Sequence, residues 1–225
     1  RSENMSWFQG APLLYTLETL HISSDLNKLD FRFPVQTVIR PQLKGFEDYR
    51  GYAGRLSSGV VRKGDEITAL PSGFTSKVAS IHLGDQEVEE AFAPMSVAIT
   101  LADDIDVARG NMLVRSNNVP ELSQEFDIMM CWLNDQPSMP RKKYKVMHSN
   151  NEQVCMIKEK VYKIDIKSLK RMETPEEFQM NEIGRVTLKT SKVLMIDPYR
   201  ENRMTGSVIL VDEQTHETVA AGMIV

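Results

Sequence analysis

The feature that most constrains this sequence is a succession of short segments rich in β-branched residues and separated by turn-forming residues. Clear examples are residues 33–39, 66–70, 97–101 and 207–211. In one of them Val97, Ile99 and Leu101 alternate with small or polar neighbours, which is the period of a half-buried strand. Short strands with Gly, Pro and Asp turns every ~8–12 residues are typical of a β-sandwich or a β-barrel. The sequence therefore predicts a mainly β protein.

One segment departs from this pattern and predicts a short helix ahead of the first strand. Pro12 suits the first turn of a helix, where its missing N–H is not needed. Four leucines follow at helical spacing and would form one apolar stripe: Leu13, Leu14, Leu17 and Leu20. The polar residues 23–25 are expected to end this helix.

The length and a cluster of turn formers predict two domains. A chain of 225 residues suits one large or two small domains. The turn formers at 116–120 separate two strand-rich halves. We predict a junction and helix over residues 1–24, and two consecutive small antiparallel β-barrels over residues 25–117 and 118–225. For such a pair we expect a modest interface and relative motion of the barrels.

Bulk composition narrows the expected partners. The formal net charge of −4 disfavours a nucleic-acid backbone as the partner. No apolar run reaches the roughly 20 residues that cross a membrane, so we expect no membrane partner. Cys131 and Cys155 lie in apolar segments, and a secreted disulfide scaffold would have more cysteines. We therefore expect reduced thiols and a cytoplasmic location.

The sequence lacks the common patterns of catalytic and metal sites. None of the four histidines has another His or a Cys at metal-ligand spacing, and no Gly-Lys-Ser/Thr phosphate loop occurs. Residues 27–30 read Asn-Lys-Leu-Asp, a pattern by which GTPases recognise guanine. That pattern works only beside a phosphate loop, so we interpret it as a polar turn. We predict no catalytic residue, no bound cofactor and no metal in this chain.

Basic residues gather in two places, 141–145 and 158–171, with Tyr144 and Tyr162 among them. Such a mixture suits a phosphate-binding or nucleic-acid-binding patch. It equally suits the solvent face of hairpins whose lysines prevent edge-to-edge pairing. Acidic residues flank both clusters, which favours the second interpretation.

Residues 50–73 carry the strongest similarity to a known family. They read RGYAGRLSSGVVRKGDEITALPSG, a strand, a hairpin and a second strand. Gly51 and Gly54 permit close backbone approach, and Gly64 and Asp65 form a turn. The segment resembles the second domain of translation-factor-type GTPases. Its Gly-Tyr-Ala-Gly start and Leu-Pro-Ser-Gly end resemble, more particularly, the large subunit of bacterial sulfate adenylyltransferase.

Five further segments resemble the same family in the same order, so the resemblance covers nearly the whole chain. They are residues 5–14, 104–113, 181–186, 197–212 and 218–224. The first resembles the join between the GTPase domain and the barrels, and the last three resemble the final strands of the third domain. Arg141 stands in a turn where the family usually has Gly.

The resemblance implies a role in sulfate activation. The complete enzyme converts ATP and sulfate to adenosine 5′-phosphosulfate and pyrophosphate, driven by GTP hydrolysis, with GTP, ATP and Mg²⁺ bound elsewhere. The small catalytic subunit transfers the adenylyl group, and the barrels are implied to transmit the nucleotide state and to hold the subunits together. Because the GTPase domain is missing, we expect this chain to dock and couple without catalysing either reaction.

The resemblance also nominates contact residues. The hairpin at Arg50, Gly51 and Tyr52 faces the GTPase domain in relatives, although Tyr52 equally suits packing inside the barrel. The leucine stripe resembles the last helix of the GTPase domain, so without that domain it would self-associate, fray or find another apolar surface.

A second nominated group lies near the end of the chain. Arg200, Asn202, Thr205 and Gly206 span the family's Asn-x-x-Thr-Gly stretch. Thr and Gly suit a turn before the strand at 207–211, and the alternative is a contact with the partner subunit.

Three other interpretations of the whole chain stay open at this point. It could be the two barrels of a translation elongation factor that binds RNA, although the negative net charge argues against this. It could be a stand-alone flavin-type barrel enzyme, which would be yellow as purified. It could also come from a related sulfate-activating enzyme in which a kinase domain follows the barrels.

Overall fold

The computed structural model describes residues 5–19, 27–41, 49–173 and 175–225. Its single described helix is α1, Leu13–Thr19, which begins directly after Pro12 as predicted. The Thr16 N–H donates to the Pro12 carbonyl at 2.9 Å. No residue of α1 is buried, so the leucine stripe is uncovered along the described helix. Leu20 and the predicted end at 23–25 lie outside the described residues.

The first barrel is built from strands that lie between Arg32 and Arg115. They are β1 Arg32–Ile39, β2 Gly51–Arg55, β3 Val60–Arg62, β4 Glu66–Leu70, β5 Phe74–Leu83, β6 Gln86–Val88, β7 Glu90–Phe92, β8 Ser96–Leu101 and β9 Met112–Arg115. The order β4-β9-β1-β2-β8-β5 closes on itself through the β4–β5 pair. Among the strands that the structure describes, β3 pairs with β7 alone. Apolar side chains at alternate positions fill the ring, among them Phe33, Val35 and Ile99.

The second barrel repeats this plan with longer strands. They are β10 Glu121–Trp132, β11 Lys143–His148, β12 Asn151–Ile164, β13 Arg171–Glu173, β14 Ile183–Ile196, β15 Ser207–Asp212 and β16 Thr218–Ile224. The order β11-β15-β16-β10-β14-β12 closes through the β11–β12 pair, and β13 lies outside the ring beside β12. Trp132 and Tyr144 meet edge to face in the core at 5.8 Å between ring centroids.

Two antiparallel barrels behind one short helix confirm the predicted fold class. The close approach predicted at Gly54 is present, because a Cβ there would lie 2.4 Å from the Pro34 carbonyl oxygen. Arg141 has a φ of 59°, which is the left-handed conformation that Gly adopts most readily. The turn therefore keeps its shape although the chain has Arg at this position.

Several local predictions can be compared with the structure. The segment at 27–30 is a polar turn, in which Asn27 Oδ1 accepts from the N–H groups of Leu29 and Asp30 at 2.9 and 3.0 Å. Tyr144 and Tyr162 are buried, which leaves their rings unable to stack on bases. Cys131 and Cys155 are free thiols. Among the described residues, no helix combines the length and apolarity needed to cross a membrane.

Candidate site at the junction of the two barrels

The barrels meet through a buried ion pair between Arg32 at the start of β1 and Asp197 directly after β14. The guanidinium binds the carboxylate through two parallel hydrogen bonds, from Nε to Oδ2 and from Nη2 to Oδ1, each 2.9 Å long. Arg32 is 3% exposed and Asp197 is 6% exposed. A charge removed from water in this way is tolerated only when its partners satisfy it completely.

Neighbouring groups form further hydrogen bonds with both members of this pair. Arg32 Nη1 donates to both the carbonyl and the side-chain oxygen of Asn118, at 2.9 Å in each case. The Thr205 hydroxyl donates to Asp197 Oδ2 at 2.5 Å. Asn118 belongs to the segment between the barrels, so the link, the first barrel and the second barrel all contribute to one network.

A second contact across the junction comes from the turn before β15. Asn202 Nδ2 donates to the Ser58 hydroxyl of the first barrel at 2.7 Å. The same amide shapes its own turn, because its Oδ1 accepts from the N–H groups of Met204 and Thr205. Gly206 packs so closely that a Cβ would lie 2.4 Å from Tyr199 Cα. The Asn-x-x-Thr-Gly stretch is therefore both a turn and part of the junction.

His148, at the end of β11, supports this turn from the second barrel. Its Nε2 lies 2.6 Å from the Thr205 carbonyl oxygen, which can only accept, so Nε2 carries the hydrogen. Its Nδ1 is buried and, among the described residues, has no hydrogen-bond partner. Burial lowers the pKa of His148 below 6.5, although the bond to Thr205 and the charge of Asp197 oppose the shift. The imidazole is therefore neutral in the folded chain near pH 7.

Amide side chains extend the junction beyond this centre. Asn27 Nδ2 donates to the Glu201 carbonyl at 3.1 Å. Asn150 Nδ2 donates to the Pro34 carbonyl at 3.0 Å, and Asn151 Nδ2 donates to Gly110. These bonds run from one barrel to the other, so the interface has several polar anchor points. The prediction of a modest interface did not include a buried ion pair supported by several further contacts.

The first nominated group, at Arg50, lies in the first barrel and holds a loop of that barrel. Arg50 Nη1 donates to the Ile105 carbonyl at 2.9 Å and pairs with Asp104. The Tyr52 hydroxyl donates to the same carbonyl at 3.0 Å. Tyr52 is 1% exposed, and burial raises its pKa above the ordinary value of 10. Its ring therefore packs in the barrel, as one of the two interpretations predicted.

An open cleft of about 820 Å³ lies beside this group. Arg50 and Tyr52 line it together with Ser80, His82 and Thr100. The Ser80 hydroxyl lies 2.8 Å from His82 Nε2 and 2.7 Å from the Thr100 hydroxyl. A Cβ at Gly51, next to Arg50, would lie 2.8 Å from the Tyr49 hydroxyl, so a side chain there would require the Tyr49 ring to move. The cleft presents polar groups suited to contact with a polar surface.

The structure thus separates the nominated residues into two sites and adds residues that the sequence did not reveal. Asn202, Thr205 and Gly206 join the junction, whereas Arg200 is exposed. Arg32 and Asp197, which dominate the junction, were not nominated. In the sequence, each appears as a charged residue beside apolar strand residues. A strand on the protein surface shows the same pattern, so this pattern does not predict that the charge is buried. Within the described parts of the chain, no cluster of side chains suited to a metal ion occurs.

Comparisons with known proteins find one matching family model and several similar curated proteins. A model of the GTP-eEF1A C-terminal domain-like family matches residues 125–225. The chain is 47% identical to a "Bifunctional enzyme CysN/CysC" of Rhodopirellula baltica and 44% identical to a "Sulfate adenylyltransferase subunit 1" of Bacteroides fragilis. Both alignments cover 100% of this chain, but they cover 34% and 46% of those relatives. The chain therefore spans between a third and a half of the length of these relatives.

A comparison of structures shows the fold alone. The crystal structure of Sup35 complexed with GDP matches with a TM-score of 0.78 and 19% sequence identity. The match covers 97% of this chain and 52% of the Sup35 chain. Both barrels and their mutual arrangement are thus shared with a distant protein, while the sequence identity is too low to carry function.

Proposed function

Since this chain belongs to the family of sulfate adenylyltransferase subunit 1 and the bifunctional CysN/CysC enzymes, we propose that its two barrels serve sulfate activation as one docking and coupling module. In this role the barrels bind the small catalytic subunit, which forms adenosine 5′-phosphosulfate and pyrophosphate from ATP and sulfate. They also pass the state of a GTPase domain to that subunit. The barrels themselves hydrolyse no GTP and transfer no adenylyl group.

The observation that carries this proposal is the buried pair of Arg32 and Asp197. Turning one barrel against the other would break both bonds of the pair and separate two buried charges from each other. Breaking such a pair costs on the order of 3–5 kcal/mol. The barrels should therefore move together, and a displacement imposed on one of them should arrive undiminished at the far surface of the other.

The cleft beside Arg50 and the leucine stripe of α1 are the surfaces through which this module would act. The cleft beside Arg50 is the proposed contact with the GTPase domain, because its guanidinium is partly exposed and its partner Asp104 is largely exposed. The exposed stripe of Leu13, Leu14 and Leu17 on α1 fits the same role, since an amphipathic helix gains stability by covering its apolar face. GTP, ATP and Mg²⁺ would all bind outside this chain.

Docking is tested with the chain itself and a purified small subunit of a bacterial sulfate adenylyltransferase. Light scattering after size-exclusion chromatography gives the mass of any complex. We expect a one-to-one complex whose mass exceeds that of the small subunit by the 25.6 kDa of this chain. Absence of a complex at tens of micromolar would refute docking by the barrels. The variant Arg200→Ala tests whether that exposed side chain contributes.

Coupling is tested in the complete two-subunit enzyme. Arg32→Met in the large subunit should leave GTP hydrolysis in place while lowering the adenosine 5′-phosphosulfate formed per GTP, because the barrels would no longer move as one body. The matched control is Arg62→Met, which removes an exposed ion pair with Glu90 in the first barrel. An unchanged ratio of product to GTP in the Arg32 variant would contradict the coupling role.

A further inference from the structure

The second barrel carries an appended hairpin that its closed ring does not require. Among the described strands, β13 pairs only with the outer end of β12, from Tyr162 opposite Glu173 to Ile164 opposite Arg171. Because the ring closes through β11 and β12, β13 and the turn before it project beyond the barrel wall. We call residues 163–172 the basic tip.

The turn of the basic tip is held in one conformation by local hydrogen bonds. The Asp165 carboxylate accepts from the backbone N–H groups of Lys167 and Ser168 and from the Ser168 hydroxyl. These bonds lower the pKa of Asp165. The Asp165 N–H donates to the Lys170 carbonyl at 2.9 Å, and the Leu169 N–H donates to the Asp165 carbonyl at 2.7 Å. The turn is thus ordered without help from the barrel core.

The basic tip presents apolar side chains to solvent, two in this turn and one in β13. Ile166 is 66% exposed, Leu169 is 78% exposed and Met172 is 52% exposed. Leu169 also has a φ of 56°, a conformation that branched apolar residues rarely adopt. Gly or Asn would adopt this backbone conformation with less strain than Leu. Aliphatic residues that gain nothing in the folded chain are typical of a surface that a partner covers.

The basic tip also carries positive charge, part of which has no ion-pair partner among the described residues. It contains four basic residues and one acidic residue, on a chain of net charge −4. Nearer the barrel the lysines are paired, as Lys163 is with Glu182 at 2.8 Å. Among the described residues, Lys167 and Lys170 have no ion-pair partner. The Arg171 guanidinium lies over the Tyr162 ring, 4.5 Å from its centroid.

We infer that the basic tip docks into an acidic, apolar-floored groove on the small catalytic subunit, which rests on the docking role proposed above. Positive charge at the rim would steer an acidic partner, and the aliphatic side chains would supply the buried contact. A protein surface fits better than a nucleic acid, because single-stranded RNA is bound by exposed aromatic rings. Here the tip exposes apolar side chains and contains no aromatic residue, and the neighbouring Tyr162 is 8% exposed and covered by Arg171.

Two independent variants of the full chain test this inference by titration against the small subunit. Ile166→Thr/Leu169→Asn removes the apolar contact, and Asn suits the left-handed backbone, so the fold should be kept. Lys167→Glu/Lys170→Glu reverses the charge of the rim. We expect each variant to weaken binding roughly tenfold or more, and the affinity of the unaltered chain to fall as salt rises.

The matched control is Lys189→Glu/Lys192→Glu, the same charge change on exposed residues of β14 outside the basic tip. At 0.15 M salt, long-range effects of charge are largely screened. This control should therefore change the affinity for the small subunit only slightly. Equal thermal melting of all variants by circular dichroism shows that folding is unchanged.

The outcomes distinguish the inference from the function on which it rests. If the unaltered chain binds the small subunit and both tip variants bind equally well, the basic tip is not the contact, although docking stands. If the unaltered chain does not bind, docking and the inference both fall. If the charge-reversed variant loses binding to a labelled oligoribonucleotide but keeps the small subunit, the tip serves RNA and the inference is overturned.

Discussion

Replacing Arg32 by Met should separate the stabilities of the two barrels. The substitution keeps most of the apolar stem but removes both bonds to Asp197 and both bonds to Asn118. The Asp197 carboxylate stays buried, with the Thr205 hydroxyl still donating to it. Loss of one member of a buried pair costs about 3–5 kcal/mol. That is a large part of the roughly 5–15 kcal/mol by which a domain is stable.

The position of the tryptophans allows the second barrel to be followed separately from the chain as a whole. Trp132 is buried in the core of the second barrel, and Trp7 lies in the segment before α1. In a Trp7→Phe background, fluorescence during urea unfolding reports the second barrel, while far-ultraviolet circular dichroism reports both. We expect the two signals to share one midpoint before the Arg32 substitution and to separate after it, because the ion pair would no longer couple the barrels.

The control and the double variant identify the source of the loss. Arg62→Met breaks an exposed ion pair and should cost well under about 1 kcal/mol. Arg32→Met combined with Asp197→Leu should lower the free energy of unfolding by less than the sum of the two single changes. The double variant removes both charges of the pair, so neither is left buried without the other. A cost for Arg32→Met near that of the control, with coincident unfolding curves, would refute the argument that the ion pair joins the barrels.

Two further predictions concern single residues. Burial lowers the pKa of His148 in the folded chain. Below pH 6.5 the unfolded chain therefore binds a proton at this residue more readily than the folded chain does. The free energy of unfolding should fall as the pH drops from 6.5 towards the lower pKa of the folded chain. When urea unfolding is measured at stepped pH, the free energy of unfolding should fall less steeply in His148→Gln than in the unaltered chain. His216→Gln, which changes an exposed histidine, serves as the control and should follow the unaltered chain. Arg141→Gly should raise the free energy of unfolding by about 0.5–1 kcal/mol, because the left-handed backbone strains a side chain but not Gly. An equal or lower midpoint of thermal unfolding would contradict this.

The strands could be predicted because their signal is local. Alternation at Val97, Ile99 and Leu101 needs only the neighbouring residues to be recognised, and it corresponds to β8. β14, by contrast, runs from Ile183 to Ile196 and was not among the clear strand segments of the sequence. Its middle carries Lys189 and Lys192, which break the apolar alternation because that part of the strand faces solvent. A polar stretch inside a strand has no local mark that distinguishes it from a loop.

The junction could be predicted only where its chemistry is local. Asn202 and Gly206 were nominated because an Asn side chain and a Gly form a turn within a few residues. Arg32 and Asp197 pair across 165 positions of sequence, and neither shows its burial in its immediate neighbours. Which charge is buried is decided by the partner that the fold brings to it, and a single sequence does not contain that pairing.

The use of an ion pair at this junction is informative in its own right. An apolar seam would hold the barrels together as strongly, but two smooth apolar surfaces can slide over one another. The planar guanidinium accepts a carboxylate through two parallel bonds only within a narrow range of angles. Asn118, Thr205 and Asn202 fix the same geometry from three further directions. The junction therefore specifies one orientation of the barrels, and a fixed orientation is what a module needs if it is to carry a movement from one partner to another.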